Sequence, residues 1–317
     1  MNKLIRVVII TQGISRIIRP LVENSKVNIV GICESSLRKE DTIFKKKLKN
    51  ILNHNDLKKY CKEEKLDYYY LRKNNYDCFD SWIDEKNPDL IIVYSMSQLL
   101  KKTTLEIPRL GVVNIHPSYL PYYKGANPWF WQYYDMLEEF GVTLHYIDEG
   151  MDTGDIIYQE KYPVPLGMKS PEMHDHAIGD IAVRMLYRLI EKISLGHELQ
   201  RTKQPITKLK IARNIKPEEH SQIVSWYEWE ITRVWHLLRG TESWLNSIPQ
   251  PRWLYSGQRW EILDYHKCDT SDYKVGKIYK KNSKYFLVCK DGIINLKVSL
   301  KMKNTLIYIL IKLGIWN

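Results

Sequence analysis

Long apolar runs, paired cysteines and glycine fingerprints are all missing from this 317-residue chain. No run approaches the roughly 18 residues a spanning helix needs, so a membrane-spanning protein is not expected. Cys33, Cys61, Cys78, Cys268 and Cys289 form no CxxC pair and are odd in number. Met1 to Arg6 lead into the short run VVII, too brief for a secretory h-region. Reduced thiols in the cytoplasm are the expectation. Gln12-Gly13 is no GxGxxG, and Ser95 and Ser97 sit in no GxSxG elbow, which argues against a dinucleotide site and a serine hydrolase. His174 and His176 would point apart on a helix, so no metal site is expected there or elsewhere. Internal repeats and low-complexity tracts are also lacking.

What is present is ordinary for a globular protein: 44% hydrophobic and 27% charged residues. Lys and Arg number 48 against 37 Asp and Glu, a formal charge of +11 that favours anionic partners in general. The Lys-rich stretch 38–73 reads as a solvated face rather than a binding site.

Short apolar runs at 5–11, 27–33, 67–71, 90–94 and 112–115 alternate with helical stretches, among them 14–23 and 57–65. That alternation predicts an α/β domain, Rossmann-like, with a mostly parallel sheet. Helical periodicity over 172–194 closes it, and the polar stretch 199–216, with Pro205, resembles a linker. Beyond a helix at 221–238, short strand-like runs at 252–255, 260–264, 277–279, 285–289 and 293–298 fit a small β-barrel domain. The expected boundaries are 1–205 for the first domain, 206–219 for the linker and 220–317 for the second.

Chemistry concentrates between Gly111 and Ile157. Asn114 and His116 stand two apart on a buried strand, so both face one side. Pro117 ends that strand, and Asp152 lies downstream in a Gly-flanked loop. An amide, an imidazole and a carboxylate can stabilise an oxyanion, carry a proton and orient the carrier.

The segments NIHPSYLP, YYKGANP, GVT and MDTGD together resemble the formyltransferases that use 10-formyltetrahydrofolate, the methionyl-tRNA formyltransferase-like group. The family signature is Asn-x-His-x-Ser-Leu-Leu-Pro, a Gly-containing loop, Gly-Val-Thr and Asp-x-Gly. The resemblance covers the first domain and weakens through IARNIKPEE and KDGIINLKV into the tail, where it implies an OB-like β-barrel domain. It implies Asn114, His116 and Asp152 as catalytic residues. It further implies a folate pocket from Gln98, Leu99 and Leu100, the turn of Ser118, Tyr119, Leu120 and Pro121, and the loop of Asp148, Glu149, Gly150 and Met151. Tyr119 replaces a usual leucine, and the Lys124–Asn127 loop lacks the arginines common there.

The family includes enzymes acting on amino sugars and on tRNA. Asn127-Pro128-Trp129-Phe130-Trp131 is more like the amino-sugar group, with Gly13, Lys124, Asn127 and Trp129 as substrate contacts. The expectation is therefore N-formylation of a nucleotide-linked amino sugar for surface polysaccharide, with a small-molecule nucleotide sugar as partner and neither nucleic acid nor membrane. The alternative is methionyl-tRNA formylation, and a further alternative is hydrolysis of the folate. Tryptophans Trp226, Trp229, Trp235 and Trp244 could make a stacking shelf, core or a homodimer interface; core or interface is the preferred reading.

Overall fold

The computed structural model describes residues 4–35, 56–72, 75–96, 98–169, 172–205, 209, 211–252, 255–300, 305 and 308. Most of the Lys-rich stretch 38–73 therefore lies outside the described residues. The chain divides into two compact units. The first comprises Met1–Trp129, Glu139–Tyr162 and Asp175–Ala212; the second comprises Phe130–Glu138, Pro163–His174 and Arg213–Asn317. Two segments that fall within the expected first domain, Phe130–Glu138 and Pro163–His174, thus group with the second unit.

The first unit is a seven-stranded sheet in the order β3-β2-β1-β4-β5-β6-β7. Its strands are β1 (Ile5–Thr11), β2 (Val27–Glu34), β3 (Tyr68–Tyr70), β4 (Leu90–Tyr94), β5 (Val112–His116), β6 (Glu139–Tyr146) and β7 (Ile156–Pro163). The first five pair in parallel, and β6 runs antiparallel to β5. Val7 to Ile10 of β1 are fully buried, as a strand covered on both faces requires. Val8, Ile10, Cys33, Phe79, Ile83, Ile91 and Val93 form one core cluster, each large side chain contributing about 1.5–3 kcal/mol by leaving water. The expected helix at 14–23 shrinks to α1 (Ile18–Val22), with Pro20 in its first turn, where no amide donor is needed. The helix expected at 57–65 is α2 (Leu57–Glu63), capped by the Asp56 carboxylate, which accepts from the Lys58 and Lys59 amides. α3 (Tyr76–Lys86) and α4 (Lys102–Glu106) follow, then α5 (Pro128–Tyr134) and α6 (Glu172–Ser194).

In the second unit, α7 (Ile231–Thr241) packs on an antiparallel sheet of β8 (Arg259–Lys267), β9 (Ile278–Lys281), β10 (Lys284–Cys289) and β11 (Gly292–Ser299), in the order β8-β11-β10-β9. Arg252 and Tyr255 lie outside any strand, and residues 253–254 lie outside the described residues. Phe130 and Trp131 are buried here, ringed by Tyr134, Trp229 and Trp244. Trp229 is therefore core, not a stacking shelf, and Trp244 is half-buried with its ring edge-on to Phe130. No helix among the described residues is long and apolar enough to cross a membrane.

Candidate active site

Strand β5 alternates apolar and polar residues, so Val113 and Ile115 are buried on one side while Asn114 and His116 share the other. The antiparallel register places His145 opposite Asn114 and Thr143 opposite His116. Directly opposed side chains in such a pair lie on the same face. Four polar groups therefore meet at the carboxyl end of β5, where ligands gather in sheets of this type.

Their hydrogen bonds fix their roles. The His145 Nδ1 lies 2.7 Å from the Tyr146 carbonyl, so that nitrogen carries the proton and donates. Its Nε2 is then an acceptor, met at 3.1 Å by the Asn114 carboxamide nitrogen. This settles the amide's orientation, because only its NH2 end can donate. One of its two N–H bonds remains for another acceptor. Burial, followed by the nearby His116 charge, lowers the His145 pKa to about 4 against the opposing pull of Asp152. His145 is neutral at pH 7, and its 3.7 Å approach to Asp152 is not an ion pair.

His116 is nearly fully buried and donates from Nε2 to the Tyr123 carbonyl at 3.0 Å. Its Nδ1 faces Asp152 Oδ2 at 3.5 Å. That separation is long for a hydrogen bond, as catalytic contacts often are before a ligand draws them in. The Gly125 amide donates to the same carboxylate at 2.8 Å, and Gly125 holds a φ of +118° that only glycine adopts readily. Asp152 itself sits at φ +54°, a left-handed conformation that costs a side-chain-bearing residue roughly 1–3 kcal/mol. In the same loop a Cβ on Gly154 would lie 2.0 Å from the Tyr146 carbonyl oxygen, so no other residue fits there. Asp148 closes the loop by accepting from the Gly150 amide and the Thr153 hydroxyl.

Beside this loop opens a cavity of about 520 Å³, lined in part by Leu105, Arg109, Val112, Ile147, Asp148 and Arg201. Of the residues expected to bind folate, Asp148 alone lines it. Glu149, Gly150 and Met151 are exposed on the loop. Leu99 is exposed, while Gln98 donates to the Leu71 carbonyl; Leu100 is half-buried. Ser118 and Leu120 are buried with their polar groups turned inward: Ser118 Oγ donates to the Tyr122 carbonyl, and Leu120 donates to Thr143 Oγ1. These two build the turn, whose Leu120–Pro121 bond is cis. Tyr119 is exposed beneath the Lys161 ammonium, and Pro121 is half-buried. Gly13 ends the turn after β1, with open space where a side chain would be, and Lys124, Asn127 and Trp129 are half-buried.

Reading the sequence missed His145. The signal was there: Thr143 and His145 are polar and two apart in an otherwise apolar strand, which places both on the face that carries Asn114 and His116 once the strands pair. Arg109 and Arg201, which line the cavity, carry no local mark in the sequence.

The chain matches the formyl transferase family over residues 7–190 and belongs to it. It is 35% identical over 158 residues to the methionyl-tRNA formyltransferase of Syntrophus aciditrophicus (strain SB), covering 50% of this chain and 49% of that one. It is 41% identical over 120 residues to the methionyl-tRNA formyltransferase of Clostridioides difficile (strain 630), covering 37% and 39%. The matches thus span about half the length of these curated relatives or less. Among solved structures, WlaRD, a sugar 3N-formyl transferase, superposes with a TM-score of 0.62 at 16% identity, over 95% of this chain and all of that one.

These findings correct two expectations. The curated relatives carry the tRNA enzyme's name, which overturns the nucleotide-sugar acceptor and the exclusion of nucleic acid as partner. The likeness to the sugar enzyme, at 16% identity, carries the fold alone. A physical reason accompanies the correction. Within the motif that suggested an amino sugar, Phe130 is fully buried and Trp131 is 6% exposed, with its indole N–H donating to the Arg213 carbonyl. Those rings are packing, not a contact surface.

Proposed function

We propose that this protein transfers the formyl group of 10-formyltetrahydrofolate to the amine of methionyl-tRNA. The observation that carries formyl transfer is the convergence of Asn114, His116, His145 and Asp152 at the end of β5. The folate supplies an activated formyl carbon. The 520 Å³ cavity is of a size suited to a drug-sized ligand, with Leu105, Val112 and Ile147 beside the charged Glu106, Arg109, Asp155 and Arg201. The free N–H of Asn114 meets the negative charge that grows on the formyl oxygen as an uncharged amine attacks, a contact worth about 3 kcal/mol. His116 takes the proton the amine must lose and returns it to the departing nitrogen, worth roughly 10²–10⁴ in rate. With Nε2–H held by Tyr123, Nδ1 is the nitrogen available for that exchange, and the Asp152 carboxylate stabilises the imidazolium once Nδ1 has taken the proton.

The tRNA acceptor is supported by the names of the curated relatives and by the β9–β10 hairpin. Lys280, Lys281 and Lys284 are exposed there and Lys274 and Lys277 just before it, and none forms an ion pair among the described residues. Lys281 and Lys284 are directly paired across the hairpin, a like-charge opposition that a phosphate would relieve. The test is incubation with 10-formyltetrahydrofolate and methionyl-tRNA, following formyl-methionyl product against salt. Product whose formation weakens steeply as salt rises is expected, as phosphate contacts release counterions. Formate released without any acceptor, or no product at all, would overturn the reading.

A further inference from the structure

The polar stretch that reads as a linker is, in its described parts, laced to the loops that carry the site. Thr202 and Ile156 exchange two main-chain hydrogen bonds, at 2.8 and 2.9 Å, pinning the stretch along the start of β7. Ala212 donates to the Lys124 carbonyl at 2.7 Å and accepts from the Asn127 amide at 2.8 Å, clasping the loop whose Gly125 amide holds Asp152. Between these two fastenings Gln204 reaches back. Its Nε2 donates to the carbonyl of Asp152 at 2.9 Å and to that of Gly154 at 2.8 Å. Both partners are acceptors, so the NH2 end of the carboxamide must face them, and both of its hydrogens are used. Its Oε1 is buried without a partner among the described residues. A buried acceptor left unmet costs about 1–3 kcal/mol. The arrangement thus satisfies the loop at the expense of the clamp.

We infer that Gln204 is a positioning residue that holds the Asp152 carboxylate against His116. The inference rests on the formyl-transfer reading above. Asp152 needs such a clamp because two features work against its placement. Its backbone is left-handed, and its neighbours Glu149, Gly150, Met151 and Thr153 are exposed, so little packing restrains the loop. Two charge-neutral hydrogen bonds to the carbonyls on either side of Thr153 fix the backbone from which the carboxylate projects. A residue that bonded the carboxylate directly would compete with His116 and Gly125, which both approach Oδ2; bonding the main chain leaves that oxygen to them.

The test compares Gln204→Met, which keeps length and loses both donors, with Lys203→Ala, an exposed neighbour on the same stretch. Two readouts are taken. In steady-state formylation of methionyl-tRNA, Gln204→Met should lower kcat by about 10- to 100-fold, the scale of a misplaced catalytic group, with KM for both substrates within about twofold and the melting temperature little changed. In amide hydrogen exchange, the Gly125 N–H should lose protection in Gln204→Met, because the carboxylate it donates to is no longer held. Lys203→Ala should move neither. Wild-type kcat in Gln204→Met would overturn the inference. Should the wild type itself fail to formylate methionyl-tRNA, the acceptor reading falls and the exchange experiment still decides. Loss of Gly125 protection then supports the clamp, and unchanged protection overturns it.

Discussion

Two histidines, one in each unit, are buried alike and titrate alike. His145 and His236 are 1% and 2% exposed, and burial lowers both pKa values to about 4. Their surroundings differ. His236 accepts the Gly167 amide at 2.9 Å and packs on the Tyr133 ring. Its polar atom answers the main chain, as do those of Arg239, which donates to the carbonyls of Gly167, Ile262 and Leu263. His145 instead accepts from the Asn114 side chain, with Asp152 and His116 within reach. A displaced pKa therefore marks burial in both units. What separates a site from a scaffold is whether the neighbouring polar groups are side chains with capacity left over.

The largest effect that could break this contrast concerns the three groups nearest the chemistry. His116→Ala or Asp152→Ala should reduce formyl transfer by about 10³-fold or more and Asn114→Ala by about 10²–10³, each with a near-native melting curve. Turnover near that of wild type in the His116 or Asp152 variant would leave the mechanism without its proton carrier. Next in size is the pair of buried histidines. His145→Ala frees the Asn114 amide to turn, and should lower kcat about 10- to 100-fold while shifting stability modestly. His236→Ala strands the Gly167 amide, an expected loss of about 1–3 kcal/mol of stability, with kcat preserved. Paired kinetics and denaturant titrations check both; equal kinetic losses would erase the distinction between the two units.

The smallest effect is in stability against pH. The unfolded chain protonates both histidines below an ordinary pKa of about 6.5, whereas the folded chain resists until about 4. The unfolded state therefore binds more protons across that window. Stability from this source is fully present above about pH 6.5 and is lost as pH falls toward 4. Denaturation midpoints measured from pH 7.5 to 4.5 should decline, and the slope should relax in His236→Gln. A slope unaltered by that substitution would mean that His236 titrates outside the window.

Much of the first unit was legible because its signals are local. The β1 and β4 runs are continuous and apolar, which a strand covered on both faces demands, and the Asn114–His116 spacing fixes a shared face without knowledge of any partner strand. Helix α1 came out shorter than its periodicity, because Pro20 permits only a first-turn position. The NPWFW segment misled. Its aromatic residues look like a recognition surface in one dimension, and only burial and packing against Tyr134 and Trp244 reveal Phe130 and Trp131 as core. Residues 199–216 misled in the opposite sense, since a polar stretch with a proline looks free until its hydrogen bonds to Asp152, Ile156 and Lys124 are seen.

By itself the sequence determined the class of sheet, the family and the shared face of Asn114 and His116, since each depends on local patterns in the order of residues. Tertiary structure alone decided that His145 stands behind Asn114, that Gln204 bonds the main chain of the Asp152 loop, and that Phe130, Trp131 and Trp229 are interior. The physical reason is that strand register and chain return bring together residues far apart in sequence, and no local pattern encodes which of two polar groups will be buried facing the other.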